Sequence, residues 1–372
     1  MLILSASAGA GHVRAAQALE KAFLARGDCA VEHIDAVDYS SKLLRKTYDK
    51  AYLGLVRRAP GVVGLLYRRL DRPWHHLRRR LALDRLNTRR MIQMLKRVQP
   101  DLCVATHFLP AEIIAWLVAK RKLRARHAVV VTDFDVHAMW LCRTVDRYYL
   151  ARQESAEYLA RLGVPREILR VTGIPIDPVF AEEKDRDAMR RRHGLDPGRP
   201  TILISAGGYG VGPVEQLVTD LMALKRPWQI VAVAGKAAQT QRRLEEIARR
   251  AGNAPTRLVV LGFTTEMDEW MAAADLLVGK AGGLTISEAL ARGLPMALVA
   301  PIPGQEERNS DHLLEEGAAV RCNNLPAAAW KIAALLDDPA RLARMREAAR
   351  TIARPRAAAD IAADALGLLE AR

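Results

Sequence analysis

Twelve short apolar runs, each handing over to a helical stretch, govern what this chain can fold into. MLILS, AVEHID, DLCVATH, HAVVVTD, RYYLA and ILRVTG come first. Most of them end in a polar residue or a glycine, the pattern of a doubly wound parallel sheet. The rhythm then stops at TGIPIDPVF (172–180) and the charged, proline-containing KDRDAMRRRHGLDPGRP (184–200), and restarts with TILISAGG, IVAVAG, RLVVLGF, DLLVGKAGG, MALVAP and AAVRC. With 372 residues there is enough chain for two cores. The spacing predicts an α/β protein of two Rossmann-like domains in series: residues 1–175, a hinge at 176–200, a second domain at 201–350, and a C-terminal helix at 351–372. From Pro326 onward the chain is Ala/Leu/Arg-rich, with Pro339 and Pro355 dividing the helical tail.

The charge is concentrated in one place. Residues 40–97 hold 17 Lys or Arg against three Asp and no Glu, so this insertion alone carries 17 − 3 = +14 of the chain's +15. A field that local implies a polyanionic partner. Leu66, Leu70, Trp74, Leu77 and Leu81 recur there at helical spacing, with Arg78, Arg79 and Arg80 among them. A basic amphipathic helix with a tryptophan points to an anionic membrane surface, and Trp74 and Arg78–Arg80 are the expected membrane contacts. Nucleic acid is not expected, because stacking aromatics are sparse and no binding module is present. The most apolar segment, FLPAEIIAWLVAK, contains Glu112 and Lys120 and is too short to span. With a first strand predicted at Met1 no secretory leader is expected, and four scattered cysteines read as buried thiols in a reducing compartment. The expected location is the cytoplasm, peripherally on the inner face of the cell membrane.

Ligands of open α/β sheets collect beyond the carboxyl ends of the strands. In the first half His12, His107 and Asp133 fall at such ends, a set able to deprotonate a hydroxyl. The SASAGAGHVR loop has Arg14 where a dinucleotide fingerprint needs its third glycine, so a nicotinamide site is not expected there. Asp133-Phe134-Asp135 is too short a pattern to indicate a metal. In the second half SAGGYGVG (205–212), with Gly207 and Gly208, follows a strand and offers bare backbone to phosphate. GKAGGLTISEALARGLP (279–295) reads as strand end, glycine loop and helix, aiming the Gly282–Thr285 amides at an anion. Glu288 suits the paired hydroxyls of a ribose, and PGQEERN (303–309) supplies an amide and acids for sugar hydroxyls.

Five segments in order, GAGHVRAAQAL, VTDFDVHAMW, VTGIPIDPVF, GKAGGLTISEAL and PGQEERN, make the chain resemble the monogalactosyldiacylglycerol synthase and processive diacylglycerol glucosyltransferase family (glycosyltransferase family 28). These are relatives of the peptidoglycan lipid-intermediate N-acetylglucosaminyltransferase. The resemblance implies a GT-B fold, two Rossmann-like domains facing across a cleft, with inverting chemistry and neither cofactor nor essential metal. By the same resemblance Gly11 and His12 face the acceptor, with His107 on the same side. Asp133 and His137 match an acidic-histidine motif in which Asp133 is the expected base. Phe263 would hold uracil; Gly282, Gly283, Thr285 and Glu288 would hold diphosphate and ribose, with Lys280 beside them. Gln305 and Glu306 match the sugar-binding pair. Ala10 interrupts the usual glycines before the histidine, and Ala281 replaces a proline after Lys280.

The expected reaction is transfer of glucose or galactose from a UDP-sugar to the 3-hydroxyl of diacylglycerol. A polyprenyl-linked acceptor is the alternative within transferases. A sugar-nucleotide epimerase is a further one, and it has no need of the basic segment.

Overall fold

The computed structural model describes residues 1–7, 9–27, 29–40, 54, 59–75, 77–205, 207 and 212–370, with backbone alone at Pro60 and 77–80. All twelve apolar runs are strands, in two six-stranded sheets whose neighbours are all parallel. The first contains β1 (Leu2–Ser5), β2 (Glu32–Asp35), β3 (Leu102–Ala105), β4 (Arg126–Val130), β5 (Arg147–Leu150) and β6 (Leu169–Val171), in the order β2-β1-β3-β4-β5-β6. The second contains β7 (Thr201–Ser205), β8 (Gln229–Val233), β9 (Arg257–Leu261), β10 (Leu276–Gly279), β11 (Met296–Val299) and β12 (Ala319–Cys322), in the order β12-β11-β10-β7-β8-β9. Each order reverses beside its first strand, between β1 and β3 and between β7 and β10. A crevice at the carboxyl ends is expected at those two points.

The chain divides into two compact units: Met1–Pro178 with Pro303–Gln305 and Arg354–Arg372, and Val179–Ile302 with Glu306–Ala353. In the first unit the helices are α1 (Ala10–Leu24), α2 (Pro60–Leu70), α3 (Leu77–Asn87), α4 (Arg89–Val98), α5 (Phe108–Ala119) and α6 (Gln153–Arg161). In the second they are α7 (Arg186–Arg192), α8 (Val214–Ala223), α9 (Ala238–Ala251), α10 (Met267–Ala273), α11 (Gly283–Ala291), α12 (Gln305–Glu315), α13 (Leu325–Leu336) and α14 (Pro339–Ile352). The last helix, α15 (Ala357–Glu370), belongs to the first unit. Strand side chains alternate between faces, so β1 sends Leu2 and Leu4 to one core and Ile3 to the other. In the second unit Ile202, Ile204, Ile230 and Val278 form the corresponding centre with Leu217 and Leu221 of α8.

The Ile3 face is closed by α1 and α15 together: Ala16, Leu19 and Phe23 meet Ala358, Ile361, Ala362 and Ala365. Small residues on α15 let the two helices approach closely. Asp364 then anchors the helix to the sheet, accepting from the Tyr149 hydroxyl at 2.8 Å and forming an ion pair with Arg147, whose Nε lies 2.8 Å away. The return of the chain is also why residue 173 is glycine. Its φ is +90°, and a Cβ there would lie 2.4 Å from Arg354 Cβ.

The basic insertion does not form one continuous helix. Residues 41–53 and 55–58 lie outside the described residues; α2 ends at Leu70, Pro73 follows, and Trp74 takes a left-handed φ of 62°. The predicted stripe is therefore split. Leu66 and Leu70 are exposed, whereas Trp74 and Leu81 pack on the first core. The Trp74 indole N–H donates to the Leu162 carbonyl at 3.1 Å. Arg78, Arg79 and Arg80 fall in α3, and their side chains lie outside the described residues.

Truncating Ile361, which is fully buried, tests the closing role of α15. Ile361→Ala is expected to cost about 2–5 kcal/mol in urea unfolding monitored by circular dichroism. An unchanged midpoint would show that α15 merely rests on the first core.

Candidate active site

At the first reversal point, β1 lies beside β3, with Leu2 opposite Cys103 and Leu4 opposite Ala105, and β4 follows on. The residues just past these strands therefore converge. His12 stands in the first turn of α1, and His107 caps α5, its Nδ1 accepting the Leu109 N–H at 3.0 Å. Their rings meet edge to face with centroids 4.6 Å apart. Trp140 forms a third wall, 6.2 Å from His12 and 6.5 Å from His107. From β4, Thr132 places Oγ1 2.8 Å from His12 Nδ1, so Asp133 comes to the same edge one residue later.

His12 Nδ1 also lies 3.0 Å from the Thr106 carbonyl oxygen, while Thr106 Oγ1 donates to the His12 carbonyl at 3.0 Å. A carbonyl oxygen only accepts, so Nδ1 carries the proton of the neutral ring and Nε2 carries the lone pair. Burial lowers the His12 pKa from 6.5 to about 4, partly opposed by the bond to Thr106. His107 is held well below its ordinary value, by burial first and then by the neighbouring His12. Both rings are neutral at physiological pH.

Asp133 is buried. Its loop is held from below, since the Phe134 carbonyl accepts from Ser155 Oγ at 2.8 Å and Arg152 Nε at 3.1 Å. Residues 303–305 group with this unit, and the Gln305 side-chain amide donates to the Asp133 carboxylate. His137 uses both ring nitrogens on backbone: Nε2 donates to the Tyr67 carbonyl at 2.9 Å, and Nδ1 accepts the Met139 N–H at 3.1 Å. With the Ala138 N–H bonded to Asp71 at 2.9 Å, it ties the end of α2 to the turn after Asp133. Gly11 precedes His12 in the first turn of α1.

The second reversal point is flanked by the two glycine loops. After β7, Gly207 adopts φ +70°, a left-handed conformation with open space where a Cβ would stand. Gly208 lies outside the described residues. After β10, Lys280 and Ala281 lead to Gly282, the N-cap of α11, which has no side-chain cap. The first-turn amides at Gly283 and Thr285 thus stand at a helix end without a side-chain cap, the kind of end that suits an anion. Glu288 is buried two turns along. Asn309 of α12 braces the loop, its Nδ2 donating to the Ala281 carbonyl at 3.1 Å. Glu306 accepts the Ile302 N–H at 2.7 Å. Beyond β9 the Phe263 ring is 65 % exposed, and Lys236 Nζ sits 5.6 Å from its centre.

Thr106, Thr132, Trp140 and Lys236 were not legible as functional. Thr132 stood next to Asp133 at a strand end, which was signal enough to examine it. Nothing in the sequence linked Thr106 to His12, 94 residues away.

The fold defines a class. The whole chain superposes on the crystal structure of Acinetobacter baumannii MurG, covering 100 % of this chain and 99 % of that one, at a TM-score of 0.64 and 19 % identity. The fold is GT-B. Residues 12–176 match the model described as monogalactosyldiacylglycerol (MGDG) synthase, and residues 185–352 match glycosyl transferases group 1. A processive diacylglycerol beta-glucosyltransferase of Staphylococcus saprophyticus is 34 % identical over 281 residues, 75 % of this chain and 70 % of its own. The Staphylococcus aureus (strain JH9) protein of the same name is 30 % identical over 345 residues, 91 % and 84 % respectively. The chain belongs to the processive diacylglycerol β-glucosyltransferase family.

The buried neutral rings bear on stability. His127 on β4, with Nδ1 2.8 Å from the Thr144 carbonyl, is likewise lowered by burial to about 4. The folded state binds these protons less readily than the unfolded chain. The stability they contribute is therefore complete above pH 6.5 and is lost as pH falls from 6.5 toward 4. The urea midpoint is expected to drop already between pH 6.5 and 5, above the carboxylate range. A flat midpoint across that interval would contradict it.

Proposed function

We propose that the protein transfers a hexose, glucose in the first instance, from a UDP-sugar to the 3-hydroxyl of diacylglycerol, with inversion to a β-glycoside. The observation that carries this reading is family membership over most of the chain. The geometry gives it residues. His12 Nε2 takes the proton of the acceptor hydroxyl as that oxygen attacks the anomeric carbon and the bond to UDP breaks. A ring whose pKa is about 4 stays free of protons at neutral pH. Asp133, on the same edge, adds negative charge there. Because both nitrogens of His137 hold backbone, its role is to position the 133–140 turn against α2.

In the second unit the amides at the start of α11, its dipole and Lys280 stabilise the departing UDP, the work a divalent ion does elsewhere. The Phe263 ring offers a face for uracil with Lys236 beside it. Glu288 takes the ribose hydroxyls, and Gln305 and Glu306 read the sugar. Gly207 and Gly208 admit the diphosphate closely, and Gly11 and His107 shape the acceptor side.

Reaching diacylglycerol requires a membrane surface, and among the described residues no helix is long and apolar enough to cross one. On α2, Val62, Leu65, Leu66 and Leu70 are exposed beside Arg68 and Arg69. We assign this face, with the basic 78–80 cluster, to docking on anionic lipid, where each Lys or Arg near the surface adds about 1 kcal/mol. In this reading Trp74 anchors the docking segment to the core.

Three measurements test the proposal. Purified protein with diacylglycerol vesicles and UDP-glucose, UDP-galactose or UDP-glucuronate is expected to yield a mono- or oligoglycosyl lipid by mass spectrometry, undiminished by a chelator. Epimerised sugar nucleotide without lipid, transfer to an added polyprenyl phosphate but not to diacylglycerol, or chelator-sensitive turnover would each overturn its part. His12→Asn is expected to lower kcat by at least about 100-fold and Asp133→Asn by less; the reverse ranking would make Asp133 the base. Changing Leu65, Leu66 and Leu70 to Ser should abolish sedimentation with phosphatidylglycerol vesicles while leaving activity on a short-chain, dispersed acceptor. Unaltered sedimentation would remove α2 from the docking surface.

A further inference from the structure

The environment of the His12 ring differs from the usual arrangement of a histidine base. Such rings are commonly oriented by a carboxylate on the second nitrogen. Among the described residues no carboxylate is hydrogen-bonded to His12. Two uncharged oxygens face Nδ1 instead: the Thr106 carbonyl at 3.0 Å and Thr132 Oγ1 at 2.8 Å. They come from the ends of different strands, β3 and β4, which pair in parallel with Val104 opposite Ala128. The contact is reinforced from the other side, because Thr106 Oγ1 donates to the His12 carbonyl. One residue thus grips both the main chain and the ring of the histidine.

We propose that Thr106 and Thr132 form a carboxylate-free clamp that holds the His12 proton on Nδ1, leaves Nε2 bare for the acceptor hydroxyl, and shares the positive charge when Nε2 becomes protonated. Thr132 is then a positioning residue for the transfer, acting through His12. This rests on the reading of His12 as the group that takes the acceptor proton.

The chemistry of the two oxygens gives each a part. If Nδ1 were bare, its lone pair would face the Thr106 carbonyl oxygen at 3.0 Å, a repulsive contact, so the carbonyl selects the tautomer. The Thr132 hydroxyl accepts from the same N–H and fixes the ring's rotation about its Cβ–Cγ bond. When the proton arrives at Nε2, both oxygen dipoles point at the charge. The proton ends on Nε2 and no other bond of the clamp changes. Edge-on contact with His107 and the Trp140 wall exclude other ring orientations.

The test combines a direct view of the ring with kinetics. In protein labelled with ring-15N histidine, with His12→Asn used to assign the signal, neutral wild-type His12 is expected to show a protonated Nδ1 and a bare Nε2. A protonated Nε2 would overturn the proposal outright, without recourse to any variant. Thr132→Val keeps the shape of the side chain and removes the hydroxyl. It is expected to lower kcat about tenfold, the loss of one such bond in the transition state, with KM for the UDP-sugar within about twofold. Thr132→Ser should restore kcat. Equal kcat in Thr132→Val and wild type, or a loss that Ser does not restore, would overturn the role of Thr132. Full activity of His12→Asn would instead defeat the reading of His12 as base while leaving the observed tautomer standing.

Discussion

The pairing of β1 with β3 is the constraint on which the first half of the molecule depends. These strands are far apart in the chain, yet Leu2 lies opposite Cys103 and the Thr106 N–H continues the ladder onto the Leu4 carbonyl at 2.9 Å. Because strand side chains alternate, a slip of one residue would exchange Ile3 with its neighbours and turn each core inside out. The same register carries Thr106 up to His12 and seats His107 at the head of α5. The meeting of the two histidines is therefore a by-product of core packing: two faces of apolar residues choose the alignment, and the rings meet beyond its end. Burial then keeps those rings neutral, which is the condition for one of them to accept a proton.

The second unit uses the same topology for a different electrostatic purpose. Its reversal point brings together loops after β7 and β10 that are short of side chains and rich in backbone amides. No side chain caps α11, so its amide end is left for a ligand. The first unit gathers neutral imidazoles beside the Asp133 carboxyl group, and the second offers the partial positive charge of a helix end. The transfer proposed above uses the first for the proton and the second for the diphosphate.

Much of this was legible in the sequence. The apolar runs mark every strand among the described residues, and the rule that ligands gather at strand ends singles out His12, His107 and Asp133, which the structure brings to one sheet edge. What escaped was information carried by contacts rather than periodicity. The helical spacing of Leu66, Leu70 and Trp74 implied one stripe, but Pro73 and the left-handed Trp74 turn the indole inward to Leu162. His137 looked as reactive as His12, because sequence does not show that both its nitrogens are already bonded to backbone. The tautomer of His12 depends on an oxygen supplied by the end of another strand. The alanines of α15 marked a helix without naming the core it covers.

That last helix has a consequence for biosynthesis. The first unit is translated first, but the face built on Ile3, Val104 and Ala128 is covered by α1 alone until Ala358–Ala365 leave the ribosome. The second unit, encoded almost wholly in between, has all its strands and core helices available sooner. Completion of the first unit therefore waits on a segment made after almost all of the second. Until then part of the apolar surface of the first sheet has no cover, so the unit that begins first is not the unit that can finish first.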